Sequence, residues 1–244
     1  MTIPLALEIP ESRLADWSPY TQLDFVLAHK VLESPKYARF FKHRVAGREL
    51  ILDNSVHELG TPLDPITLVE AAERVDATYV ISPDRLEDAV WTIAQSLALR
   101  RMLNGRARLA SVLTGDSIRE RRNVLDAYRG VDMLCLPYRR TRLEWFFEHR
   151  EIILSRWDRI HLLGVSSLEE LSAWKWIADR FPGVSFSVDT AKPVKWGLLE
   201  RDLRTLEEIR HAPVPSKDLL DTDEISPKQD AMVRKNITFL LSLL

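Results

Sequence analysis

Short apolar runs alternate along this chain with longer stretches in which apolar positions recur at helical spacing. Residues 3–9 form a compact apolar run closed by Pro10 and read as a buried strand. Over 16–33, Leu23, Val26, Leu27 and Val31 follow helical spacing, and Ser34-Pro35 supplies a stop, so a helix is predicted there. Residues 37–45 are basic and aromatic, a loop or short helix. A strand over 49–52 then runs into Asp53-Asn54-Ser55, followed by a loop with Gly60, Pro62 and Pro65 and a helix near 66–74.

From there one phrase repeats. Strands are predicted over 78–81, 109–113, 133–136, 160–163 and 184–188. Their polar tips are Ser82-Pro83-Asp84, Thr114-Gly115-Asp116, Pro137-Tyr138-Arg139, Gly164 and Asp189. Helices follow the first four of these over about 86–103, 118–128, 143–154 and 166–180, the last carrying Trp174 and Trp176. Strand, polar tip and helix recurring in this way is the pattern of βα units on a parallel sheet. Seven strands are counted, and none is followed by a glycine-rich dinucleotide fingerprint. The fold expected is α/β, a (β/α)8 TIM-type barrel whose eighth strand is weak or missing; a doubly wound open sheet is the alternative. Residues 1–210 would form the barrel. Residues 211–227 read as an irregular linker, leading to a C-terminal helix over 229–243 packed on the body.

Composition narrows the chemistry. At 244 residues the chain is long enough for one such barrel. A net charge of −2 excludes a globally basic nucleic-acid coat, so any such binding needs a local patch. The single cysteine, Cys135, excludes an intrachain disulfide and a thiolate-rich zinc cage. No signal-peptide pattern and no apolar run near 18 residues is present, which predicts a cytoplasmic protein with no membrane segment.

On a parallel sheet the strand tips share one rim, where barrel chemistry sits. Asp53, Asp84 and Asp189 would meet there. Two carboxylates about 5 Å apart support double displacement at a sugar carbon, one attacking and one protonating the leaving group. Each aspartate alone also reads as a helix cap, Asp189 included. No histidine stands in triad or metal spacing, and His57 and His161 read as surface or packing residues.

Taken in order, ILDNS at 51–55, ISPD at 81–84, ASVLTGDS…VDMLCLPYR at 110–139, HLLGVSS at 161–167 and SVDTAKP at 187–193 resemble the queuine/archaeosine tRNA-ribosyltransferase superfamily. They look most like its phage and bacterial relatives that insert 7-deazaguanines into DNA. The resemblance implies a barrel enzyme, needing no cofactor, that exchanges guanine in DNA for a base such as preQ0 or preQ1 through an aspartyl-linked intermediate. Asp189 would be the nucleophile and Asp53 the general acid/base. Asp84 would read the amidine edge of the base, with Asn54, Ser55, Thr114, Gly115, Tyr138 and Gly164 completing the pocket. Basic residues at the rim, Arg139, Arg140, Arg142, Lys192 and Lys195, would face backbone phosphates. Tyr138 or Trp196 would support a flipped base. The chain departs from the family at its DNS tip, which lacks paired glycines, and at Thr114, where glutamine is usual. The family's three-cysteine, one-histidine zinc site cannot be built here, so no metal is expected. That favours DNA over tRNA, in a bacterial or phage-infected cytoplasm. Other readings are a transglycosylase acting on RNA, a hydrolase or lyase on a phosphorylated sugar held by Arg139 and Lys192, and a non-catalytic barrel that binds a partner.

Overall fold

A computed structural model describes residues 2–115, 117–165, 167–205, 220, 222 and 224–244. Eight strands make one sheet: β1 (Leu5–Leu7), β2 (Leu23–Leu27), β3 (Glu49–Asp53), β4 (Tyr79–Ile81), β5 (Arg108–Val112), β6 (Met133–Leu136), β7 (Arg159–Leu162) and β8 (Ser185–Thr190). Its order is β1-β8-β7-β6-β5-β4-β3-β2, and every paired neighbour is parallel. The two edge strands, β1 and β2, lie against each other and nearly close the wall. The fold is a (β/α)8 barrel.

The eighth strand is neither weak nor missing. It is β2, and it runs through the middle of the segment whose spacing predicts a helix over 16–33. That segment holds α1 (Leu14–Trp17), a 3-10 turn (Ser18–Tyr20), β2 and then α2 (Ala28–Glu33). All five residues of β2 are buried, so its apolar positions carry no polar face to mark a period of two. Asp24 breaks the apolar run, yet it lies buried in an ion pair with Arg48 at 2.6 Å. Residues 37–45 are helical at their start, within α3 (Pro35–Lys42), which Ser34 caps by accepting from the Tyr37 N–H.

The remaining helices are α4 (Val56–Leu59), α5 (Pro65–Val75), α6 (Ala89–Leu103), α7 (Ile118–Val124), α8 (Arg142–Leu154), α9 (Leu168–Arg180), α10 (Lys192–Leu198) and α11 (Pro227–Leu241). Alternation along the strands sends one residue set inward. Ala6, Phe25, Ile51, Ile81, Val112 and Cys135 belong to the cluster that fills the barrel. The opposite faces pack under the helices in two larger clusters. The last helix joins that outer layer through Val233, Ile237 and Leu240. It seats directly on α10, where a Cβ built on Gly197 would come within 2.5 Å of Val233 Cα. Asn236 fixes the junction, accepting from the Leu203 N–H at 2.9 Å and donating to the Arg201 carbonyl at 2.8 Å. Most of the linker expected over 211–227 lies outside the described residues, as do Asp116 of the β5 tip and position 166.

Candidate active site

Asp189 sits near the end of β8, and alternation turns it inward with Ser185 and Ser187 while Phe186 and Val188 pack outward. It is not a helix cap: the residue preceding α10 is Ala191, with Pro193 inside the first turn. Asp189 is 3% exposed. Its Oδ1 lies 3.1 Å from the His161 ring nitrogen Nε2, in hydrogen-bond contact, and accepts from the Gly164 N–H at 3.1 Å. Gly164 has φ +60°, and this left-handed turn lets the backbone after β7 point its N–H at the carboxylate.

Asp53 ends β3, and its Oδ2 accepts from the Ser55 N–H at 2.7 Å across a tight turn. Ser55 adopts φ +61°, and its hydroxyl accepts from the His29 N–H at the tip of β2. Asn54 uses its whole amide. It donates to the Ser82 carbonyl and to Asp84 Oδ1, both at 2.7 Å, and accepts from the Val56 N–H at 3.0 Å. The DNS tip therefore aims one carboxylate and clamps a second, with side chain and backbone doing what a glycine pair would leave free.

The carboxylates share one field. Burial, then the charge of Glu58, pushes Asp53 well above the usual range; Asp84 and Asp189 add to it, and the Ser55 N–H opposes. Burial pushes Asp84 up to about 6 against the Asn54 hydrogen bond. Beneath them, burial raises the Cys135 thiol, and Asp189, Asp53 and Asp84 all raise it further. Asp53, Asp84 and Asp189 stand at or just past the C-terminal ends of the parallel strands β3, β4 and β8, on the same rim of the barrel. A fourth carboxylate joins them. Glu8, one residue past β1, is pushed up to about 7 by burial and then by Asp189, with Lys195 and Lys30 opposing. Glu58 completes the set; its Oε2 is buried with no hydrogen-bond partner among the described residues.

Several expected roles change on this geometry. Of the two readings of His161, surface or packing, packing holds, with a polar contact added: it is fully buried in the barrel, stacked on Phe25 at 5.7 Å, and bonded to Asp189. The Thr114 hydroxyl, buried at the β5 tip, is paired with the Tyr128 hydroxyl at 3.1 Å. Gly115, at φ +132°, donates its N–H to the Leu86 carbonyl at 2.9 Å and crosses close to Arg121, a joint between loops. Arg142 is buried and turned inward, donating to the carbonyls of Leu136 at 2.9 Å and Leu163 at 2.6 Å and to Glu170 at 2.7 Å. It ties the tips of β6 and β7 together and has no face for phosphate. Trp196 is buried against Leu203 and does not reach the rim.

The remaining aromatic and basic rim residues differ in exposure. Tyr138 is half-exposed beside Gly164, its ring 5.8 Å from the Arg142 guanidinium. Arg140 is exposed, while Arg139 is held by the Leu86 carbonyl at 2.9 Å. Lys192 and Lys195 are half-buried on the first turn after β8. Burial lowers the Lys192 pKa, and Lys195 faces the Glu8 carboxylate. Glu8 and His161 were the functional positions that sequence reasoning missed. In the structure Glu8 continues the inward alternation from Ala6, and His161 is the register partner of inward-facing Cys135.

No cluster of three His, Cys, Asp or Glu among the described residues has metal-binding geometry, and no helix there is long and apolar enough to cross a membrane. No family model matches the sequence, and no curated protein matches it. Among solved structures, the crystal structure of KGPDC from Streptococcus mutans is similar, with a TM-score of 0.54 at 10% identity over 99% of this chain and 98% of that one. The likeness is one of fold.

Proposed function

We propose that this chain is an enzyme, a transglycosylase that exchanges guanine in DNA for a 7-deazaguanine base such as preQ0 or preQ1. The observation that carries the reading is the division of labour among carboxylates at one barrel mouth. Asp189 has one oxygen held by two partners, while burial and neighbouring charge favour the protonated form of Asp53. A carboxylate fixed by two partners suits a nucleophile, and one whose proton is favoured suits a proton donor. In the first half, Asp189 attacks C1′ and Asp53 gives its proton to the departing guanine. In the second, the incoming base loses a proton to Asp53, its nitrogen attacks C1′, and the Asp189 carboxylate leaves. Asp84, steadied by Asn54, accepts from the N1 hydrogen and exocyclic amine of either base. Tyr138 offers a half-exposed ring for a base taken out of the stack.

The test is exchange itself. The protein is incubated with DNA or tRNA carrying labelled guanine, with preQ0 and preQ1 supplied separately. Label released only when a deazaguanine is present, together with a protein–DNA adduct on a denaturing gel, supports the reading. Release from tRNA alone moves the acceptor to RNA. No release and no adduct with either nucleic acid overturns it.

A further inference from the structure

His161 holds Asp189 but moves no proton in the exchange as written above, and among the described residues it is the one imidazole sealed inside the barrel in contact with a candidate nucleophile. Its ring is clamped from three sides. Phe25 stacks on its face at an interplanar angle of 16°, Ser187 Oγ lies 2.8 Å from Nδ1, and Asp189 Oδ1 lies 3.1 Å from Nε2. An ionised carboxylate only accepts hydrogen bonds, so the bond to Asp189 requires a proton on Nε2. In the neutral ring that leaves Nδ1 bare, and the Ser187 hydroxyl is the donor that satisfies it. Ser187 also lines a cavity of about 240 Å³ that opens toward the N-terminal end of the barrel beside Arg159 and Glu49. The ring thus stands between the two ends of the barrel, fixed from below and donating above.

We propose that His161 is the positioning residue of Asp189 and that, with the Gly164 N–H, it dictates which carboxylate oxygen reacts. The inference rests on the transglycosylase reading for its kinetic consequence alone. With two donors on Oδ1, Oδ2 is left to bond to C1′. In the covalent intermediate Oδ1 is the ester carbonyl oxygen. When the incoming base displaces the ester, the C1′–Oδ2 electron pair returns to the carboxylate, and the two donors stabilise that charge as it develops. The second half-reaction therefore depends on His161 more than the first, because only there is the carboxylate a leaving group.

Two measurements decide it. Nitrogen-15 NMR of histidine-labelled protein should show His161 protonated at Nε2, with a signal that moves in Asp189→Asn. A bare Nε2 overturns the proposal whether or not any substrate turns over. In exchange assays, His161→Leu should lower kcat by about 10²-fold, the effect of removing one preorganised donor, with KM for the nucleic acid unchanged. A larger share of protein should then be trapped as the adduct. His161→Gln, which can again present an N–H to Oδ1, should recover part of the loss. If His161→Leu does not fold, Ser187→Ala keeps the ring but removes its lower partner, and should raise the trapped fraction to a smaller extent. An unchanged adduct fraction in the folded variant, or Gln no better than Leu, overturns the proposal. If wild-type protein exchanges no base and forms no adduct, the functional reading fails, and NMR alone still decides whether His161 holds Asp189.

Discussion

The two ends of this barrel are built from the same strands and treat charge in opposite ways. At the N-terminal end, charged and polar groups are matched. Arg159 pairs with Glu49 at 2.7 Å, Arg108 donates to the Tyr79 hydroxyl at 2.8 Å, and both guanidiniums lie 5.5 Å from the Tyr79 ring. On the outside of the same end, Asp24 is buried against Arg48. At the C-terminal mouth, acids face acids. Asp53 and Asp84 take hydrogen bonds from a backbone N–H and a side-chain amide, and Glu8 and Asp53 both feel Asp189. Neutralised pairs hold a fold together. Burial, helped at Glu8 and Asp53 by like charges, raises the proton affinity of these acids, a condition that acid/base chemistry needs and stability does not.

Breaking the acid end should act on chemistry. Asp189→Asn should abolish both adduct and exchange, since an amide is a poor nucleophile toward an oxocarbenium-like carbon. Asp53→Asn should still form the adduct on a substrate with a good leaving group. Its exchange of guanine should fall by about 10²–10⁴-fold, the usual effect of a positioned acid. Denaturing gels and label release read the two apart, and an adduct persisting in Asp189→Asn would assign the nucleophile elsewhere.

Breaking the paired end should act on stability. Arg48→Ala leaves Asp24 buried without its partner and should cost about 3–5 kcal/mol in urea unfolding, while activity per folded molecule holds. Loss of exchange without loss of stability would erase the distinction between the ends.

The contrast also has a pH signature. Glu8 has its folded pKa pushed from 4.5 to about 7, so the folded state binds its proton more tightly than the unfolded state does. That contribution is fully present below the unfolded value and is lost as pH rises through the folded one. Between 4.5 and 7 it should therefore diminish by at most about 3 kcal/mol. Glu8→Gln should flatten the decline of Tm across that window; an unchanged slope would remove Glu8 from the buried acid cluster.

The smallest effect is expected at the rim. Arg140→Ala should reduce the salt dependence of DNA binding by about one counterion, whereas Arg142→Ala should lower stability and leave that slope alone. The reverse result would return Arg142 to the phosphate track.

Legibility followed local signals. The strands from β3 to β8 announced themselves through β-branched and aliphatic runs ending in polar tips, and these tips named Asp53, Asp84 and Asp189. β2 stayed hidden because burial on both faces removed its alternation, and Asp24 gave the segment a helix-like spacing. Arg142 was misread because sequence gives a residue's place after a strand but not the direction of its side chain. Glu8 escaped for a related reason. A strand as short as Leu5–Leu7 offers too few residues to establish which face its successor joins.

The close seating of Gly197 on Val233 has a consequence for how the protein is made. Every candidate carboxylate is synthesised before Pro227–Leu241, and until that helix arrives α10, which follows Asp189, lacks the partner that seats on Gly197. A nascent chain stalled before Pro227 would carry the complete set of acids with α10 uncovered at Gly197. Synthesis order thus leaves the helix behind Asp189 without its cover until Pro227–Leu241 has docked.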